Sequence, residues 1–196
     1  MKYRRRRRAL REAIILIASI LFTLARLPGR LIDLPPNCWR SGDILFLDGT
    51  SIRSRLVRLA EGYSTDYSHV GIIVVEDGVP FVVHADPAAG EVIKQRLDIV
   101  LASGQFCGGA LYRIMPNHGA VIRAACATAN LWAQEKLPFN SQFDLESRDR
   151  LYCTELVWRA YLSGGIDLCD GMATKHRYLL PAQLLASPGL RYVVRF

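Results

Sequence analysis

The apolar and polar positions of this chain follow two spacings, which predict two kinds of element. Short runs rich in β-branched residues, bounded by turn residues, predict strands. These predicted strands cover residues 44–47, 69–75, 80–84, 91–94, 110–114 and 192–196. Apolar residues three or four positions apart predict helices. These predicted helices cover residues 51–61, 97–102, 119–137, 152–162 and 181–186. The mixture, with an antiparallel hairpin as its clearest strand pair, predicts an α+β fold.

The predicted hairpin has a turn whose position sets the register of its two strands. The Asp-Gly pair at 77–78 is a strong signal for a two-residue turn. Pairing around it places His69 opposite Asp86. The same register places Gly71 opposite His84. Because side chains alternate along a strand and opposed Cβ atoms are about 5 Å apart, two imidazoles and a carboxylate are predicted to meet on one face. Gly71 leaves space between them.

Composition narrows the class of protein. With 196 residues, 51% of them hydrophobic and 22% charged, the chain has room for one folded domain and a sizeable core. The net charge of +7 is local, because residues 1–30 hold nine Lys or Arg and one Glu. The rest of the chain is close to neutral, which argues against a nucleic-acid-binding face.

Residues 1–36 form a separate basic and hydrophobic segment ahead of a domain at 37–196. Six arginines between positions 4 and 11 precede an apolar run at residues 13–25, which is shorter than the roughly 20 residues that span a bilayer. The run fits a cleaved signal peptide or, extended to about residues 9–34, a retained and tilted anchor helix. Positive charge stays inside, so the domain is expected in the cell envelope, periplasmic or anchored to the inner membrane. A basic amphipathic helix on the inner leaflet is the alternative.

Cys153 lies where a polar loop enters the helix predicted at residues 152–162. The positive end of a helix and its free N–H groups favour a thiolate and can stabilise an oxyanion. A neighbouring imidazole would take the thiol proton, and a third polar group would orient that imidazole. The other cysteines show no metal-knuckle spacing and are interpreted as packing residues or as one disulfide. They are Cys38, Cys107, Cys126 and Cys169.

These motifs resemble a known family. The segments that carry the resemblance are Gly-Asp-Ile-Leu-Phe at 42–46, Tyr-Ser-His-Val-Gly-Ile at 67–72, Val-His-Ala at 83–85, Pro-Phe-Asn at 138–140 and Tyr-Cys-Thr-Glu-Leu-Val-Trp at 152–158. They are similar to the YiiX/YebB-like permuted papain-like cysteine hydrolases of the NlpC-type superfamily. The resemblance covers about residues 42–168. It implies a circularly permuted papain-like core, with an antiparallel sheet packed on helices and the His strand ahead of the Cys helix.

The same resemblance implies roles for individual residues. Cys153 falls at the position of the nucleophile and His69 at the position of the base. His84 falls at the third, polar position, where the family often has Glu. This departure keeps Asp86 as a rival for the orienting role. Tyr67 and Tyr152 are candidate supporting residues.

The sequence therefore predicts a cell-envelope cysteine hydrolase that cleaves a peptide or N-acyl amide bond through an acyl-enzyme. A substrate derived from the cell wall or from lipid is expected, as is membrane contact through the N-terminal segment. No nucleic acid and no cofactor are expected, and the oligomeric state is left open. A lipid acyltransferase or thioesterase-like activity, or a catalytically weak tethered binding domain, is the alternative. A zinc amidase is a further competitor, because His69, His84, Asp86 and Cys153 could bind a metal.

Overall fold

The computed structural model of the protein describes residues 38–62, 64–115, 117–171 and 177–196. The strands in this part of the chain are β1 (Ile44–Gly49), β2 (His69–Glu76), β3 (Val79–Asp86), β4 (Glu91–Arg96), β5 (Phe106–Ile114) and β6 (Leu190–Arg195). They form one sheet in the order β4-β3-β2-β1-β5-β6, and every neighbouring pair is antiparallel. The helices are α1 (Ile52–Ala60), α2 (Leu97–Ala102), α3 (Gly119–Gln134), α4 (Cys153–Ser163) and α5 (Pro181–Leu185). The predicted mixture of an antiparallel sheet and helices is confirmed.

Strand β1 is covered on both of its faces. Ile44 and Phe46 belong to the cluster that packs under α3 and α4, whereas Leu45 and Leu47 belong to the cluster on the other face, which α2 covers. All four side chains are buried. This is why β1 is a continuous apolar run, since alternation is expected only where one face meets water.

The hairpin has the register that its turn predicts. Asp77 and Gly78 both have positive φ, 50° and 78°, as a two-residue hairpin turn requires. The strands pair from Ile72 with Val83 to Glu76 with Val79, as predicted. A Cβ atom on Gly71 would lie 2.6 Å from the Val82 side chain and 2.9 Å from a backbone oxygen. Only glycine therefore fits at this position.

Strands β1 and β5 differ from their predicted bounds. The end predicted for this strand at residue 47 is wrong, because β1 continues to Gly49 and pairs there with Phe106 across an irregularity in the register. Strand β5 accordingly begins at Phe106 rather than at residue 110. Glycines at 108 and 109 weaken the local strand signal, and the partner strand supplies the order that the local sequence lacks.

The predicted segment at residues 1–36, including its hydrophobic helix, lies outside the described residues. No helix among the residues that are described has both the length and the apolar content needed to cross a membrane.

Candidate active site

Cys153, His69 and His84 line one cavity of about 540 Å³. His69 is the first residue of β2, His84 lies near the end of β3, and Cys153 is the first residue of α4. Helix α4 packs against both strands. The fold thus brings the three sequence-predicted residues to one end of the hairpin.

The two histidines are joined directly. His69 Nε2 lies 2.8 Å from His84 Nδ1, and the two rings are nearly perpendicular. Phe106 stacks on the His69 ring with a centroid distance of 5.6 Å. Only 9% of His69 and 4% of His84 is exposed. The contact holds the His69 ring in place and puts His84 in the position expected of an orienting residue.

One proton lies between these two nitrogens, and its position determines what His69 can do. If His69 Nε2 donates, its Nδ1 keeps a free lone pair that can accept a proton. If His84 Nδ1 donates, the proton of neutral His69 is on Nδ1 and the ring cannot act as a base. In the first arrangement His84 carries its own proton on Nε2, a buried atom with no hydrogen-bond partner among the described residues.

Burial keeps both imidazoles neutral. It lowers the pKa of His69 well below the ordinary 6.5, and the neighbouring His84 lowers it further. Burial also lowers the pKa of His84 to about 4, although the charge of Asp86 and a polar contact with Gln95 act in the opposite direction. The pair is therefore uncharged at neutral pH.

The thiol of Cys153 is also uncharged at neutral pH, because it keeps its proton. Burial raises its pKa to about 11, although the backbone N–H groups of Val70 and Thr154 lower it. The N–H groups at the helix end therefore act in the direction that the sequence predicts, but in the free protein they do not decide the state of the thiol. Desolvation of the anion outweighs the favourable backbone dipoles.

The thiol and the imidazole pair approach the cavity from different sides of the sheet. His69 pairs with Leu47 and shares its face, whereas α4 packs on the opposite face. The described contacts include no hydrogen bond between Cys153 and either histidine. Because His69 begins its strand, both side chains still reach the cavity at the strand end. Catalytic hydrogen bonds are often long in free enzymes and shorten when substrate binds.

The start of α4 is fixed by buried polar contacts around Tyr152. The Tyr152 hydroxyl accepts a hydrogen bond of 2.7 Å from the backbone N–H of Leu179. Thr154 donates a hydrogen bond of 2.7 Å to the Leu179 carbonyl. The Glu155 carboxylate accepts from the Tyr152 N–H at 3.4 Å and lies 2.8 Å from an Arg159 nitrogen. Tyr152 thus supports the position of Cys153 without lining the cavity.

Asp86 and Tyr67 differ in how they relate to the site. Asp86 lines the cavity, but its carboxylate accepts a hydrogen bond of 2.7 Å from the backbone N–H of Ala88. The contact with His69 is made by His84 instead. Tyr67 packs between the ring of Phe46 and the guanidinium of Arg195 and is not part of the cavity wall.

The structure also shows the state of the other cysteines and bears on the metal-binding alternative. All five cysteines are free thiols, so the disulfide considered from the sequence is not formed. Cys126 and Cys169 are buried and Cys107 is exposed. Among the described residues, no group of three or more His, Cys, Asp or Glu side chains could hold a metal ion.

Sequence reasoning missed most of the apolar cavity wall. Phe106, Phe139 and Phe143 line the cavity together with Ile52 and Val57 of α1. These residues come from three separate segments, which are β5, the loop that holds both Phe139 and Phe143, and α1. Phe139 lies in a motif that carried the family resemblance, but no local pattern joined the others to the site.

Comparison with known proteins places this fold and these motifs in a family. Residues 39–194 match the family model described as permuted papain-like amidase enzyme, YaeF/YiiX, C92 family. The chain belongs to this family. The resemblance drawn from the motifs is thereby confirmed, and membership in the YaeF/YiiX family supports a hydrolase-type activity.

Two relatives from Escherichia coli are similar to this YaeF/YiiX family member. The uncharacterised protein YiiX of strain K12 is 29% identical over 143 residues, which cover 67% of this chain and 62% of that protein. The aligned part is thus less than two thirds of the length of that relative. A crystal structure described as the metalloprotein YiiX from strain O157:H7 has a TM-score of 0.65 and 22% identity, covering 80% of this chain and 97% of the other. At that identity the structural likeness shows the fold alone.

Proposed function

We propose that this protein is a cysteine amidase of the cell envelope, with Cys153 as nucleophile, His69 as general base and His84 as the residue that orients His69. The observation that carries the proposal is the hydrogen bond between His69 and His84 in a cavity that also contains the thiol at the start of α4. A nucleophile, a base and a group that orients the base are the parts that covalent acyl transfer needs.

The proposed reaction has two steps. Cys153 Sγ attacks the amide carbonyl as its proton passes to His69 Nδ1, so an S–C bond forms. The C–N bond then breaks, and the amine leaves with the proton that His69 returns to it. Water, deprotonated by His69, then attacks the thioester carbonyl. The S–C bond breaks, the acid is released, and His69 returns the proton to Cys153 Sγ. The backbone N–H groups in the first turn of α4 are the candidate oxyanion donors.

Intact-mass measurement of the acylated protein tests this chemistry directly. The full chain is mixed with N-acyl amides and peptides, and the adduct mass on Cys153 is read after an acid quench. We expect the adduct to disappear in Cys153→Ala and to persist in Cys107→Ala, which removes an exposed thiol outside the cavity. The group that receives the acyl chain distinguishes the two activities, because an amidase transfers it to water and an acyltransferase transfers it to another acceptor. Hydrolysis of thioester substrates would indicate a thioesterase. Turnover retained in Cys153→Ala and lost on chelation would replace the proposal with a metal mechanism.

A binding domain without turnover is the second candidate. It is favoured by the neutral thiol and by the missing hydrogen bond between Cys153 and His69. Such a domain would bind acylated ligands equally well in the unaltered protein and in Cys153→Ala, and it would form no adduct. Its ligand affinity would be measured by calorimetry on both proteins.

The proposed location rests on the sequence of residues 1–36. An export-dependent reporter fused after Phe196 is expected to be active, because the arginines keep the N-terminus inside. Activity of a reporter that works only in the cytoplasm would contradict this location. The intact mass of the mature protein would show whether the segment is retained or cleaved.

A further inference from the structure

Helix α1 carries its large apolar side chains on the side that faces solvent. The exposed fractions of Ile52, Leu56 and Leu59 are 78%, 60% and 58%. Their spacing of four and three residues places them on one stripe. None of the residues of α1 is buried, so the stripe contributes nothing to the core.

Polar contacts hold the opposite side of α1 against the domain. Arg58 donates to the Asp48 carboxylate at 2.6 Å and to the Gly49 carbonyl at 2.9 Å. The Ser51 side chain caps the helix by accepting from the Ser54 N–H at 3.1 Å. The helix therefore meets the domain mainly through polar contacts, together with the apolar side chain of Val57 towards the cavity, and it carries its three largest apolar side chains outward.

Two arginines flank the apolar stripe. At about 100° per residue, Arg53 and Arg55 lie on opposite sides of the line through Ile52 and Leu56. Both arginines are exposed, and neither forms an ion pair with another described residue. The solvent side of α1 thus combines an apolar stripe with free positive charge along both of its borders.

Other large apolar side chains on the surface lie on separate elements. Ile99 lies on α2, Leu131 on α3 and Leu162 on α4, with exposed fractions of 51%, 50% and 43%. Single exposed apolar residues are normal on a soluble surface, whereas a contiguous stripe marks an interaction site.

The stripe begins at the mouth of the cavity. Ile52 and Arg53 belong both to this surface and to the cavity wall, and Val57 lines the cavity from the next turn. Whatever covers the stripe therefore lies next to the opening that leads to Cys153.

We propose that α1 is an interfacial helix that docks the cavity mouth on an anionic lipid surface. Ile52, Leu56 and Leu59 enter the boundary between headgroups and acyl chains, and Arg53 and Arg55 contact lipid phosphates. Charge complementarity favours anionic lipid over a neutral apolar partner. The apolar run predicted to enter the membrane ends at residue 25, and the twelve residues 26–37 reach at most about 40 Å.

Hydrogen–deuterium exchange of residues 50–62 tests the docking. The full chain is reconstituted in phosphatidylcholine vesicles with and without phosphatidylglycerol, and is also measured in detergent. We expect exchange of this segment to slow about tenfold or more on the anionic vesicles, because a docked helix opens less often. Carrying out the measurement in Cys153→Ala makes it independent of turnover, so failure of the docking and failure of the proposed chemistry are distinguishable.

Matched variants identify the groups responsible. The variant Ile52→Ser/Leu56→Ser/Leu59→Ser should lose the protection, whereas Ile99→Ser/Leu131→Ser/Leu162→Ser should keep it. The variant Arg53→Gln/Arg55→Gln should lose the difference between anionic and neutral vesicles. Equal exchange on vesicles with and without phosphatidylglycerol would overturn the proposal. Protection that is as strong in Ile52→Ser/Leu56→Ser/Leu59→Ser as in the unaltered protein would also overturn it, because the stripe would then not be the part that docks.

Discussion

At the residue scale, the unusual member of the site is His84. A carboxylate in its place would raise the pKa of His69 by its charge and would always accept the Nε2 proton. A neutral imidazole accepts the same proton without that charge, and burial has lowered the pKa of both rings. In the proposed mechanism, His84 would orient His69 but would stabilise the imidazolium formed during attack less than a carboxylate would.

Replacing His84 separates its orienting role from that of Asp86. We expect His84→Ala to lower kcat/KM about 10²–10⁴-fold, because His69 loses its hydrogen-bond partner. His84→Glu should recover part of the loss and move the acid limb of the pH profile to higher pH, since the carboxylate raises the pKa of His69. Asp86→Asn is the control and should cost less than about tenfold. If Asp86→Asn loses as much as His84→Ala, the orienting role belongs to Asp86.

The protonation state of Cys153 is tested by the pH dependence of its alkylation. Its raised pKa predicts that the iodoacetamide rate at this residue, followed by peptide mapping, climbs about tenfold per pH unit above pH 7. A rate that is already at its plateau at neutral pH would show a thiolate paired with an imidazolium and would contradict the neutral pair.

These residues show how far the sequence determines the site. The meeting of the His69 and His84 side chains on one face could be predicted, because one turn dipeptide sets the register of both strands. The neutral state of the thiol could not be predicted, because the pKa of Cys153 depends on how much protein surrounds it. Desolvation is a property of the packed fold and has no local signature in the chain.

At the element scale, the hairpin formed by β2 and β3 brings the two histidines to one end of the sheet. Its turn and register were predictable from local chemistry. The pairing of β1 with β5 was not predictable, because its irregular end joins Gly49 to Phe106, a residue far along the chain. Helix α1 was predicted correctly in extent, but the outward position of its largest apolar side chains was not, since an apolar stripe normally faces the core.

Gly71→Ala tests how much the site depends on this hairpin. The added methyl group meets a backbone oxygen and the Val82 side chain, so the strands must separate slightly. We expect a loss of about 1–3 kcal/mol in unfolding free energy and a weakened contact between the histidines. Chemical denaturation gives the first quantity and the NMR signals of the imidazoles give the second. Gly78→Ala is the control for a glycine whose Cβ would meet nothing, although its positive φ adds a strain of its own. Unchanged histidine signals in a destabilised Gly71→Ala would show that the pair does not depend on strand spacing.

At the scale of the whole molecule, two buried systems make the stability depend on pH in opposite directions. The pKa values of His69 and His84 are lowered, so the unfolded chain binds more protons and stability falls as pH drops from about 6.5 towards 4. Burial raises the pKa of Glu155 from 4.5 to about 7, although Arg159 opposes this. The folded chain therefore binds more protons at Glu155, and that contribution falls as pH rises through the same range.

Glu155→Gln removes one of these opposing contributions. We expect the Tm of Glu155→Gln to rise more between pH 5 and pH 7 than the Tm of the unaltered protein does. The additional rise is about 2–4 °C for each kcal/mol of opposing free energy that Glu155 no longer contributes. Thermal unfolding at both pH values gives the difference. The exposed Glu146→Gln should keep the original slope. Equal slopes in all three proteins would mean that Glu155 titrates no differently in the folded and unfolded chains.

The shared proton of the two buried rings has a consequence for the surroundings in which such an enzyme could work. A histidine base supported by a carboxylate is switched off early when its compartment turns acidic, because its partner makes it hold a proton more tightly. A base supported by a second neutral ring resists that loss, because its partner carries no charge that would hold the proton on it. In the proposed mechanism, His84 in place of a carboxylate would therefore give weaker support to the charged base and greater tolerance of acid, which would suit the proposed location in the cell envelope.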